Sequence, residues 1–229
     1  MKQILVYGDS VSWGMIPGTR GRFPFDKRWP GHMEVKLRTQ GLDVRVIENC
    51  LAGRCTVWSD RFRVGRNGAE GLHEAVEMNA PLALVIIALG INDFYNTDTI
   101  QTWASAQGIA RLIEIVQTAP VEGGRPGPDI LVAAPPPIAA ESGVYGERFS
   151  GAAERSHGLA VAYRAVAEEW NTRSLDLGVV SQPSRIDGVH LDADQHSTVA
   201  DAMAREVARI LEPYEQKRRC IQIADHQLA

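Results

Sequence analysis

The chain has 229 residues, with 24 Lys+Arg against 28 Asp+Glu and a formal charge of −4. That balance excludes a nucleic-acid binder held by bulk charge, since phosphate-backbone binding calls for a basic face. Hydrophobic residues at 45% and charged residues at 23% are ordinary globular values, which excludes disorder and fibrous repeats. The length suits one domain over residues 1–213 and a polar tail over 214–229 that frays or packs on a partner subunit. Cys50, Cys55 and Cys220 are too few and too irregular for a disulfide framework or a zinc site, so a reducing compartment is expected. The N-terminal apolar run is too short for a signal-peptide core, and Pro81 to Leu89 falls well short of the ~20 residues that span a bilayer. These features predict a soluble, cytoplasmic protein.

In chain order, Gln3 to Tyr7 reads as a first buried strand, and Pro30 to Thr39 as a helix opened by its proline and stopped by Gly41. Val44 to Glu48 is a second strand, Ala69 to Met78 a second helix, Leu82 to Leu89 a third strand and Thr99 to Thr118 a third helix. The stretch 122–128 reads as a loop before a fourth strand at Ile130 to Ala134. Helical patterns then cover Ala152 to Trp170 and Ala193 to Leu211. Strands apolar on both faces, alternating with helices, predict an α/β sandwich on a parallel sheet.

In such sheets, ligands gather beyond the carboxyl ends of the strands. The first strand is followed by Gly8-Asp9-Ser10, with Ser10 at a glycine-framed turn, and the second by Asn49-Cys50-Leu51-Ala52-Gly53-Arg54. The third runs into Gly90-Ile91-Asn92-Asp93, and Asp187-Gly188-Val189-His190 precedes the last helix. Taken singly, each is an ordinary turn or cap. Together they supply acyl transfer to a serine: Ser10 as nucleophile, His190 as base, and Asp187 to orient the imidazole. The Ser10 N–H, the Gly53 N–H and the Asn92 amide are the oxyanion donors. Asp9 and Asp93 read as loop braces. Trp13, Val189 and Phe149 are the candidate substrate-pocket residues.

These four blocks resemble the SGNH (GDSL-type) hydrolase family, over residues 4 to about 211. Trp13-Gly14, Leu51-Ala52-Gly53-Arg54, the apolar third strand and Pro135-Pro136-Pro137 look like its bacterial arylesterase/acyltransferase subgroup. The resemblance implies a flavodoxin-like three-layer α/β/α sandwich on a central parallel five-stranded sheet, no cofactor, and a homo-oligomer. It implies hydrolysis of short-chain acyl or aryl esters through an acyl-enzyme, with acyl transfer to alcohols. Cys50 and Cys55 stand where the subgroup carries other small residues, and the tail lies outside the resemblance.

His32, His73, His157, His196 and His226 lack metal-ligand spacing and read as surface or capping histidines, so no metal is expected. Arg61, Arg63 and Arg66 read as a solvated loop or subunit contact beside Asp60 and Glu70. The alternatives are a non-catalytic ligand-binding module on the same scaffold and a carbohydrate acetylesterase. A nucleotide-binding Rossmann protein is disfavoured because no Gly-x-Gly-x-x-Gly follows the first strand. The expected partner is a small ester, with neither nucleic acid nor membrane.

Overall fold

The computed structural model describes residues 1–120, 127–139 and 145–212 with their side chains, and 213–227 as backbone alone. Strands β1 (Lys2–Gly8), β2 (Val44–Cys50), β3 (Leu84–Ala88), β4 (Asp129–Ala134) and β5 (Arg173–Asp176) form one sheet in the order β2-β1-β3-β4-β5. Every neighbouring pair is parallel. This is the expected flavodoxin-like arrangement. Each of its parallel crossovers runs through a helix, so both faces of the central strands are covered and β3 is buried at every position.

The helices are α1 (Ser10–Trp13), α2 (Trp29–Thr39), α3 (Leu72–Met78), α4 (Thr102–Thr118), α5 (Ala152–Arg155), α6 (Leu159–Glu169) and α7 (Ala193–Gln227). Helix α2 packs on α7 and β2, whereas α4 packs on α3 and α6. The burial follows helical spacing: Trp29, Met33 and Leu37 are fully buried on α2, as are Ile109, Leu112 and Ile113 on α4. Each such side chain contributes about 1.5–3 kcal/mol when taken from water.

Three elements depart from the sequence pattern. The helix expected over Ala152 to Trp170 is two helices, because Gly158 takes a left-handed φ of +76°. The break is held by Thr102, whose hydroxyl donates to the carbonyls of Arg155 (3.0 Å) and His157 (2.9 Å). Strand β5 (Arg-Ser-Leu-Asp) is a mostly polar edge strand without the apolar run that marks the other four. Helix α7 continues past Leu211 through most of the stretch read as a tail. Any packing of that tail on a partner lies outside the described side chains, and the loop read at 122–128 lies mostly outside the described residues.

Candidate active site

The strand order reverses between β1 and β3, whose crossovers leave a crevice between them at the carboxyl edge. Both strands discharge into it. The chain leaving β1 turns at Asp9, whose Oδ1 accepts from the Val11 N–H at 2.9 Å and caps α1. Ser10 therefore opens α1, with its hydroxyl facing the crevice.

His190 closes on Ser10 from the other end of the chain. Its Nε2 lies 2.9 Å from Ser10 Oγ, and its Nδ1 lies 2.8 Å from Asp187 Oδ2. Asp187 Oδ1 accepts the backbone N–H groups of Val189 (3.1 Å) and His190 (2.9 Å), while Oδ2 also accepts from Gly18 N–H at 3.0 Å. Burial pushes the Asp187 carboxyl upward. The hydrogen bond and charge of His190, with the backbone donors, outweigh burial and hold it at about 2. A fixed anion on Nδ1 sets the tautomer that leaves Nε2 free to take a proton from Ser10.

Three donors surround the same point. Among the described residues neither the Ser10 nor the Gly53 N–H has an acceptor. Gly53 adopts φ +82°, a conformation that favours glycine, and a Cβ there would also displace the Arg63 guanidinium. The loop is anchored by Arg54. Its guanidinium donates to the carbonyls of Gly8 (3.1 Å) and Asn49 (2.5 Å) and lies 3.9 Å from the centre of the Tyr7 ring.

Asn92 occupies a 3₁₀ turn at Ile91–Phe94, directly after β3. Its Nδ2 donates to Asp9 Oδ2 (3.1 Å) and to the Arg54 carbonyl (3.2 Å), so both amide protons are engaged at rest. Asp9 and Asp93 sit where the sequence reading put them, as braces. Asp93 Oδ1 accepts from Thr56 N–H (2.7 Å), and Oδ2 from the hydroxyls of Thr56 (2.8 Å) and Ser105 (2.5 Å). Burial raises both carboxyls to about 6, against the hydrogen bonds that each accepts. The two cysteines beside this loop are structural: Cys50 Sγ donates to the Val6 carbonyl (3.6 Å) and Cys55 Sγ to that of Asn92 (3.3 Å).

Ser10, Gly53, Asn92, Val189, Phe149 and His190 line one small cavity of about 50 Å³. Trp13 does not line it. The Trp13 side chain lies under Arg22, whose guanidinium is 4.9 Å from the ring centre and donates to the Trp13 carbonyl at 2.7 Å. Held against Arg22 at the end of α1, Trp13 is not among the cavity's lining residues, which corrects its assignment to the pocket. The cavity is walled instead by Met15, Ala52, Arg63, Tyr95 and Tyr145, none of which the sequence reading singled out for this role. Tyr95 follows the third block by two residues, and Met15 follows the Trp13-Gly14 pair, so distance from the motifs was the available signal. Four of the walls, Met15, Arg63, Tyr95 and Tyr145, continue into a wider cleft of about 1130 Å³.

Of the other histidines, His196 is fully buried rather than on the surface. Its Nδ1 accepts from the Trp29 N–H (3.2 Å), and burial lowers it to about 4. It is not joined to Ser10. The His226 side chain lies outside the described residues. Among the described residues no group of three or more His, Cys, Asp or Glu is placed to hold a metal, and no helix is long and apolar enough to cross a membrane.

The model of the GDSL-like Lipase/Acylhydrolase family matches residues 6–200, from within β1 to within α7. The chain belongs to this family. The GDSL-like fold is shared with solved structures over 92% of this chain. The M. smegmatis aryl esterase, in an inhibitor-bound form, is 32% identical, with TM-score 0.86, covering 92% of this chain and 100% of its own. Est24, a carbohydrate acetylesterase from Sinorhizobium meliloti, gives 32% and 0.86 with the same coverage. No curated protein matches the chain. The four sequence blocks thus lie on an SGNH scaffold, and this GDSL-like protein is a serine ester hydrolase.

Proposed function

We propose that the GDSL-like protein hydrolyses short-chain acyl or aryl esters through an acyl-enzyme on Ser10. The observation that carries this reading is the unbroken chain from Ser10 Oγ through His190 to Asp187, at 2.9 and 2.8 Å. In the first half, the Ser10 oxygen bonds to the ester carbonyl carbon as its proton passes to His190 Nε2. The C–O bond to the alcohol then breaks, and that proton leaves on the departing oxygen. In the second half, water repeats these steps on the acyl carbon and restores Ser10; a small alcohol in place of water gives acyl transfer. The Ser10 and Gly53 N–H groups meet the developing oxyanion, joined by Asn92 when one of its protons leaves Asp9 or the Arg54 carbonyl.

The cavity beside Ser10, about 50 Å³, is far smaller than the adjoining cleft of about 1130 Å³, which suits an acetyl group better than a long chain. The same size favours a second reading, a carbohydrate acetylesterase, with the sugar in the wider cleft. The homo-oligomer belongs to this proposal too, since Phe62 and Val64 are 79% and 94% exposed on the loop bordering that cleft. The cytoplasmic location is supported by Cys50 and Cys55, both free thiols. An organophosphonate should add one label per chain in the parent and none in Ser10→Ala, with p-nitrophenyl acetate and acetylated xylo-oligosaccharides assayed in parallel. A Ser10→Ala protein of full activity ends the reading.

A further inference from the structure

The wide cleft beyond the Ser10 cavity has an unbalanced charge. Its wall carries Arg20, Arg63 and Arg148 against one carboxylate, Asp60. That carboxylate is already satisfied. Its Oδ2 lies 2.8 Å from Arg63 Nε and 2.6 Å from Arg63 Nη2, and its Oδ1 accepts the backbone N–H groups of Phe62 and Arg63. Arg148 donates to the Tyr95 hydroxyl (2.5 Å), and its guanidinium lies 5.8 Å from the centre of that ring, with no carboxylate partner among the described residues. Arg20 makes no hydrogen bond or ion pair among the described residues and faces solvent. Among the described residues, two guanidinium groups without an ion pair therefore stand in a cleft that shares Tyr95 and Tyr145 with the Ser10 cavity, with Asp60 the one carboxylate on its wall.

We infer that the alcohol or phenol half of the natural ester carries an anionic group, and that Arg20 and Arg148 bind it. This rests on the esterase reading above. With the acyl group in the small cavity, the departing half extends along Tyr95 into the wide cleft, which shares four of that cavity's walls and carries both arginines on its own wall. A planar guanidinium matches a carboxylate or a phosphate in two-point contact, so the shared chemistry is a compact oxyanion. The charge also raises the local concentration of an anionic substrate before binding. The excess arises from the segments that carry Arg20 and Arg148, because of Arg61, Arg63 and Arg66 only Arg63 lines the cleft, and it is paired with Asp60.

The test compares kcat/KM for 4-acetoxybenzoate, 4-acetoxyphenyl phosphate and the neutral 4-acetoxybenzamide at low and high salt. At low ionic strength at least one anionic ester should be preferred about three- to tenfold, falling below about twofold at about 0.5 M salt. Arg20→Gln and Arg148→Gln should each lower the anionic-to-neutral ratio, and Arg20→Glu should lower it further. Arg20 has no partner to lose, so its variants read charge without touching the fold. Which anion leads separates a carboxylate from a phosphate. If none of the esters is hydrolysed, the esterase reading fails and takes this inference with it. If the amide is hydrolysed as fast as both anions at every salt concentration, the inference alone is overturned. A preference unchanged in the arginine variants overturns it equally.

Discussion

Replacing Gly53 by alanine separates the loop's structural role from its proposed chemical one. At φ +82° the new Cβ meets the following carbonyl, a cost of about 1–2 kcal/mol. It also collides with the Arg63 guanidinium. That group is the far end of a flexible side chain and can swing aside at the cost of its ion pair with Asp60, about 0.2–1 kcal/mol for a partly exposed pair. The two terms together predict a loss of about 1–3 kcal/mol in urea unfolding. In an Arg63→Ala background the collision is gone, and the same replacement should cost only the backbone share, about 1–2 kcal/mol. If the Gly53 N–H meets the oxyanion, the shift should also lower kcat for p-nitrophenyl acetate about 10- to 1000-fold with KM little changed. Full kcat in a destabilised Gly53→Ala protein would remove Gly53 from the oxyanion donors. Parental stability would refute the backbone argument, and an undiminished cost without Arg63 would refute the collision.

Asn92→Ala should lower kcat about 10- to 100-fold with KM nearly constant. This is below the full value of an oxyanion donor because the amide first surrenders a hydrogen bond worth roughly 1–2 kcal/mol to Asp9 or Arg54; a change confined to KM would make Asn92 a binding residue instead. Asp187 is held at about 2, below its ordinary value near 3.8, so it contributes stability above pH 4 that disappears as the pH falls toward 2. Acid unfolding of Asp187→Asn should lack about 2 kcal/mol of that loss, and its kcat should fall by about 10⁴ through the wrong imidazole tautomer; an unaltered acid limb would contradict the assignment. Acetyl and propionyl esters should exceed octanoyl, with each methylene that does not fit costing about 1–3 kcal/mol. Phe149→Ala should move the optimum to longer chains and Trp13→Ala should not; a parental optimum at decanoyl or beyond would refute the small cavity.

Much of this architecture was legible because parallel central strands bury both faces, so β1, β3 and β4 announce themselves as apolar runs bounded by turns. Edge strand β5 has one sheet neighbour and three polar positions in four, and it left no such signal. The break at Gly158 was hidden because the apolar spacing on either side continues as though one helix were present. The residues that meet around Ser10 lay in short blocks at strand ends, where topology alone concentrates polar side chains. Trp13 was misplaced because nearness in sequence does not settle which neighbours a side chain meets: Arg22, from the loop after α1, stacks over the Trp13 ring and keeps it out of the cavity lining. Tyr145 and Arg63 come from loops whose approach to the cavity is set by tertiary packing, which periodicity does not encode.

Ser10 and His190 are 180 residues apart, and the Gly18 bond to Asp187 spans 169. The triad is therefore assembled only when the first strand and the segment leading into the last helix have docked on a common framework. Closing loops this long costs entropy that few local contacts repay early. Turnover consequently works as a built-in gauge of global folding: it should vanish in the same cooperative transition as the sheet, and a fragment ending before residue 187 has no means of recovering it.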